Sequence, residues 1–332
     1  MSNKKIHTVI SLLLMILIAS AADPVISDAT AAPFRVEGQN VVIDQAGRKV
    51  TVTKPFERII SLYGAHTENL FRLELDEEVI GVSRHETYPP RALQIPVFSY
   101  HDDPEKFLAA RPDLVIIRPM IDRGYPQFVS MLEKNGIAII SLQPATVEDM
   151  YTYWKILGIL GDRQLQATAM ITRFKAAVTE FRSLTELRAV RKRVYFEAIH
   201  SKMKTFAPDS MAVFALEAAG GINVASDAEP VRSTNIAFYG KERILSRGRE
   251  IDVYLAQSGA MNQPSVKLIS DEPGFNTIKA VGDHEIYIID EQIVSRPTMR
   301  LLDGIYHIGK ILYPDDYNQK ALAILERANK PW

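Results

Sequence analysis

The stretch from Asp162 to Val190 contains neither proline nor glycine, and no other feature constrains this chain as strongly. Met170, Phe174, Ala177, Phe181 and Leu184 recur there at alternating spacings of four and three, the repeat of one helical face. A helix over 162–190 would be roughly 40 Å long at about 1.5 Å per residue, enough to pack along two small lobes at once. On either side of it, short β-rich runs alternate with amphipathic stretches, which predicts parallel strands joined by crossover helices.

Before the helix, strands are expected at 59–62, 79–82, 114–117 and 137–140, with helices over 67–73, 104–110 and 127–135. A hairpin opens this half, its arms at 41–44 and 48–52 and its turn at Gln45, Ala46 and Gly47. After the long helix, strands are expected at 193–199, 251–255 and 285–289, and helices at 210–219, 300–312 and 318–328. The expected fold is α/β: two Rossmann-like lobes, 33–161 and 191–332, joined by one rigid helix. Glu105 and Leu108 precede Asp113 much as Glu242 and Leu245 precede Asp252, an echo that favours two similar lobes over one large sheet.

Lys4 and Lys5, an apolar run from Val9 to Ala19 and the small residues Ala19, Ser20 and Ala21 read as a cleavable signal peptide over 1–21. A second small-residue site at Ala29 to Ala31 allows the cut to fall after residue 31. The run is about half the length a spanning helix needs, so a membrane anchor is disfavoured. The chain has no cysteine, which excludes disulfides, thiolate metal sites, a cysteine nucleophile and lipid attachment to a processed cysteine. A soluble protein in the periplasm of a double-membraned bacterium is expected. The formal net charge of −1 becomes two units more negative without the leader, so nucleic acid is not an expected partner.

Several short segments in one order carry a further signal: Asp44–Val52 (DQAGRKVTV), Arg58–Leu62 (RIISL), Thr67–Phe71 (TENLF), Val79–Ser83 (VIGVS), Tyr88–Pro90 (YPP) and Glu105–Ile117 (EKFLAARPDLVII). Together they resemble the solute-binding proteins of ABC importers that carry ferric siderophores, haem and cobalamin, the class III type of periplasmic binding protein. The resemblance implies a non-catalytic, monomeric capture protein with no intrinsic cofactor. It would deliver a small metal complex to a transmembrane permease dimer powered by a separate ATPase. It also places Glu105 and Glu242, one on each lobe, as carboxylates that dock onto permease arginines.

A two-lobed binder holds its ligand between the lobes, on loops at the carboxyl ends of the strands. By the strand assignment those loops carry Tyr63, His66, Arg84, His85, Tyr100, His101 and Arg118 in the first lobe. In the second they carry His200, Lys202, Lys204, Tyr239, Met261 and Arg296. Cations beside aromatic faces suit an anionic ferric siderophore, whereas Tyr oxygen or His nitrogen would suit haem or ferric iron; no direct metal ligand is singled out. Corrinoid ranks lower, because Trp154 and Trp332 lie away from these loops, although Tyr63, Tyr88, Tyr100 and Phe238 could supply flat surface.

Enzyme motifs fare poorly, which leaves a zinc or serine hydrolase as a remote alternative. His85-Glu86 and His284-Glu285 lack the second histidine of a zinc-protease helix, and no Gly-x-Ser-x-Gly elbow is present. Gly304 to Ile311 matches a phosphate-binding loop except at its last position, but the match falls in a helical pattern with no strand before it.

Overall fold

The computed structural model describes residues 34–231, 234–315 and 317–330. The expected leader, both of its cut sites and Trp332 lie outside the described residues.

The chain starts with a three-stranded antiparallel sheet, β1 (Arg35–Glu37), β2 (Val41–Ile43) and β3 (Lys49–Thr51). Gly47 at φ +81° makes the expected turn, while buried Asp44 accepts hydrogen bonds from the backbone N–H of Ala46, Arg48 and Ser141. The elements β4 (Ile59–Ser61), α1 (Gly64–Arg72), β5 (Val79–Val82), α2 (Pro104–Ala110), β6 (Leu114–Ile117), α3 (Pro119–Gly124), α4 (Pro126–Lys134) and β7 (Ala138–Ser141) follow. Their strands form one fully parallel sheet in the order β5-β4-β6-β7.

The helices α5 (Val147–Leu160) and α6 (Gln164–Ser183) come next. The second half then runs β8 (Arg193–Ile199), β9 (Lys204–Phe206), α7 (Met211–Ala218), β10 (Ile222–Asn223), β11 (Glu229–Pro230), β12 (Ile236–Phe238), α8 (Lys241–Ser246), β13 (Val253–Ser258), α9 (Val266–Ser270), α10 (Lys279–Gly282), β14 (Ile286–Asp290), α11 (Glu291–Val294), α12 (Leu301–Leu312) and α13 (Asn318–Asn329). Its sheet has the order β11-β12-β9-β8-β13-β14, with β10 also on β8. The core β8-β13-β14 is parallel, whereas β9, β11 and β12 add antiparallel pairs that the alternation pattern did not announce.

The echo between the halves has a physical counterpart. Asp113, before β6, accepts from the N–H groups of Glu57 and Arg58 at the start of β4, both at 2.9 Å. Asp252, before β13, accepts from the Arg193 N–H at the start of β8, also at 2.9 Å. Each aspartate staples the amino end of a neighbouring strand, and α2 and α8 precede the equivalent strands.

The central helix is shorter than 162–190. Asp162 at φ +55° breaks the chain between α5 and α6, and α6 ends at Ser183. Beyond Thr185 a longer helix would bury no further apolar side chain, since Leu187 and Val190 are 96% and 77% exposed. Within α6 the expected face is correct: Met170, Phe174, Ala177 and Phe181 are buried, and Leu184 packs on the same core. Phe174 lies between Trp154 of α5, at 5.5 Å between ring centroids, and Phe214 of α7, at 6.3 Å. Residues of both halves therefore share one apolar cluster around α6.

Candidate functional site

In each parallel sheet the crossover helix begins where the preceding strand ends, so loops at the carboxyl edges gather side chains from several segments. β4 ends at Ser61 and turns directly into α1, leaving Tyr63 half-buried at the helix start. The Arg118 guanidinium, just past β6, lies 4.5 Å from the centroid of the Tyr63 ring. Arg296, in the loop between α11 and α12, reaches across from the other half: its Nη1 lies 2.6 Å from where a Cβ would stand on Gly64. A side chain there would push the Arg296 guanidinium aside, so glycine leaves room for this approach. Burial raises the Tyr63 pKa, and the charges of Arg118 and Arg296 work against that rise.

In the same half the rings of Tyr100, His101 and Tyr125 form a cluster, with centroids 4.3 Å, 4.7 Å and 5.1 Å apart. Tyr125 escaped the sequence reading. Its signal was the Gly124-Tyr125-Pro126 break between two short helices, directly after Arg118. Glu86 and Glu291 were missed too. Glu86 Oε1 accepts from Ser83 and Thr67 hydroxyls, its Oε2 is 3.3 Å from the same Cβ point on Gly64, and burial raises its pKa. Glu291 packs over Gly259.

Across the cleft, Lys204 extends over the exposed Phe238 ring at 4.5 Å, in register with it on the paired strands β9 and β12. Lys202 and Met261 are exposed on neighbouring loops, as are Arg84 and His85 in the first half. Arg84 reaches Asp102 at 3.2 Å, a carboxylate it shares with Lys106 at 2.7 Å.

Three expected contact residues are turned inward instead. His66 is fully buried, with Nδ1 2.7 Å from the Tyr153 hydroxyl and Nε2 3.3 Å from the Ile117 carbonyl; burial lowers its pKa to about 3. The face of α1 that carries His66 turns to the core, which position after a strand could not reveal. Tyr239 is buried with its hydroxyl donating to the Val224 carbonyl at 3.4 Å, beneath Arg243. His200 is buried with Nδ1 2.7 Å from Glu197, and that bond raises its pKa. Glu197 also accepts from Tyr254 at 2.5 Å and Asn262 at 3.3 Å.

Glu105 and Glu242 are both exposed or nearly so, in the first turns of α2 and α8. Asp103 caps α2 by accepting from the Glu105 N–H at 3.0 Å, and α8 starts after Gly240 at φ +88°. A helix that leads back into a parallel strand starts at the carboxyl edge of that sheet.

A cavity of about 310 Å³ lies elsewhere, between α1, Tyr88, Pro89 and the start of α12. Four charged groups on its wall are paired, Arg300 with Glu68 and Arg91 with Asp76, while Arg72 donates to the Ala328 and Asn329 carbonyls and Glu74 accepts from Gln166. The segment resembling a phosphate-binding loop, Gly304 to Ile311, is interior to α12 and cannot cradle a phosphate. Among the described residues no His, Asp and Glu side chains group to hold a metal ion, and no helix is long and apolar enough to cross a membrane.

This geometry has known counterparts. A substrate-binding lipoprotein of an ABC transporter from Bacillus subtilis, YvrC, itself uncharacterised, is 23% identical over 93% of this chain and 96% of its own length. The vitamin B12-binding protein of Vibrio cholerae is 24% identical over 77% of this chain and 90% of its own. Among solved structures, a possible iron-binding periplasmic solute-binding protein from Staphylococcus epidermidis superposes with a TM-score of 0.68 at 25% identity, covering 78% of this chain and all of the other. Residues 59–293 match the family described as periplasmic binding protein. The parallel sheet of the first half and the parallel core of the second are thus those of a class III binding protein, and the chain belongs to the periplasmic binding protein family as an ABC-importer substrate-binding protein of its iron-complex and vitamin B12 branch.

Proposed function

We propose that the protein captures an iron complex, foremost a ferric siderophore, between its two lobes and hands it to a permease. One observation carries the reading: Arg118 from one half lies over the Tyr63 ring, and Arg296 from the other reaches the adjoining Gly64. Cations beside aromatic faces suit an oxygen-rich anionic metal complex. The protein acts as a non-catalytic monomer in the periplasm after loss of its leader, and Glu105 and Glu242 dock it onto the permease dimer.

Haem or a corrinoid is the second reading, the corrinoid favoured by the relatives named for vitamin B12. Trp154 gives it no help, since that ring is fully buried and donates to the Pro297 carbonyl at 3.2 Å. Absorption of protein isolated from its native compartment tests both readings. A broad visible charge-transfer band is expected; a Soret band or sharp corrin bands would replace the first reading by the second. Colourless protein that binds none of these complexes would overturn both.

A further inference from the structure

We infer that His200 is a proton-operated clasp: with its ring charged it holds β8 to the 271–275 turn and to the start of α8, and on losing the proton it releases them. Three separate segments meet at this ring. His200 directly follows β8, and its side chain is only 7% exposed. On one side Nδ1 lies 2.7 Å from Glu197 Oε2, and on the other Nε2 faces Glu272 Oε2 at 3.8 Å. Glu272, in the turn after α9, accepts in addition from Lys241 Nζ at 2.5 Å, and Lys241 is the first residue of α8.

Nε2 is the sensitive atom. It is enclosed and makes no hydrogen bond among the described residues. A carboxylate only accepts, so Glu197 keeps the first ring proton on Nδ1, and what Nε2 carries depends on pH. In the charged ring an N–H faces Glu272 within ion-pair reach. In the neutral ring a lone pair faces the same oxygen, which repels it and gives no bond. Two carboxylates and the Lys241 ammonium leave one negative charge in this largely enclosed cluster until the ring is protonated.

The other neighbours do not supply that charge. Tyr254 of β13 donates to Glu197 at 2.5 Å, and burial pushes its pKa well above the usual phenol value. Asn262 is a neutral amide whose Oδ1 accepts from the His200 N–H at 3.0 Å. Phe275 stands edge-on at 6.4 Å between ring centroids, and Lys202 on the same turn is exposed. The Glu197 bond raises the His200 pKa above 6.5, and the Glu272 charge adds to the rise. A group raised in the folded state contributes stability that is complete below its unfolded pKa and lost as pH rises through the folded one. The clasp is therefore shut in mild acid and opens as pH climbs. Because α8 carries Glu242, the hold on that helix becomes pH-dependent, whatever Glu242 docks onto.

Hydrogen–deuterium exchange of the ligand-free protein at about pH 6 and about pH 8.5 reads the clasp directly. Protection factors, which already correct for the intrinsic effect of pH, should fall about three-fold or more at 241–246 and 271–275 in wild type, while those of α7 hold steady. In His200→Gln and in Glu272→Gln, with folding checked by circular dichroism, the fall should shrink below about two-fold. Glu272 is partly exposed, so its variant keeps the test valid even where His200→Gln folds poorly. Titration of the His200 ring by nuclear magnetic resonance, its signals identified by their loss in His200→Gln or by through-bond assignment, should give a midpoint above 6.5 that moves down in Glu272→Gln. A midpoint at or below 6.5, no fall in wild type, or the same fall in wild type and Glu272→Gln would each overturn the clasp.

Discussion

Arg300 grips Glu68 through two nitrogens, Nε at 3.0 Å and Nη2 at 2.8 Å, and so ties α12 of one half to α1 of the other. The guanidinium also lies 4.4 Å from the Tyr88 ring centroid. Glu68 is 5% exposed, and without it the Arg300 charge would be left poorly solvated. Replacing Glu68 by Ala should destabilise the protein by about 3 kcal/mol, the cost of stranding one member of a buried pair. Urea unfolding measures it; a loss within about 0.5 kcal/mol, the range of ordinary surface substitutions, would show that Arg300 is satisfied by water.

The same seam limits motion. The Pro297 carbonyl accepts from Asn69 at 2.9 Å and from Trp154 at 3.2 Å, and Phe174 packs between Trp154 and Phe214. Closing the lobes by a wide hinge would break these contacts together. Small-angle scattering of free and ligand-loaded protein should therefore give nearly equal radii of gyration, and a contraction of several ångströms would mean that the shared core opens.

His66 sets an acid limit on stability. Its pKa falls from 6.5 to about 3 on folding, because burial disfavours the charged ring. A group depressed in the folded state contributes stability that is complete above its unfolded pKa and lost as pH falls from about 6.5 towards 3. Every tenfold weakening of proton affinity on folding corresponds to about 1.4 kcal/mol. His66→Gln should lower the melting temperature at pH 7.5 by removing the bond with Tyr153, yet lose less than wild type between pH 7.5 and pH 4.5. Parallel melting curves across that range would place the acid-sensitive group elsewhere.

The parallel strands and their helices were legible because period and punctuation agree: Pro104 opens α2 and the Leu114–Ile117 run is wholly buried. The antiparallel flank β9-β12-β11 was not, since strands of two or three residues leave little periodicity to read. Position after a strand pointed to Tyr63 and Arg118, which stand together just past β4 and β6. The same rule misplaced His66, Tyr239 and His200, because it identifies the loop and not the direction of the side chain. Glu68 with Arg300 joins residues 232 apart in sequence, and no local pattern encodes such a pair.

The docking role proposed for Glu105 and Glu242 can be tested apart from capture. Both lie at the surface, and each starts the helix before the strand that carries a stapling aspartate. Exposed first-turn acids contribute no more than about 1 kcal/mol to a helix start. Glu105→Ala with Glu242→Ala should consequently leave the melting temperature and ligand affinity near wild type. Uptake into vesicles bearing the cognate permease and ATPase should nevertheless collapse, since two separated charge pairs fix the orientation of docking as well as its strength. Single variants should fall between the two. Ligand affinity and uptake measured on one double-variant preparation decide the matter: full uptake, or lost affinity, removes the docking role.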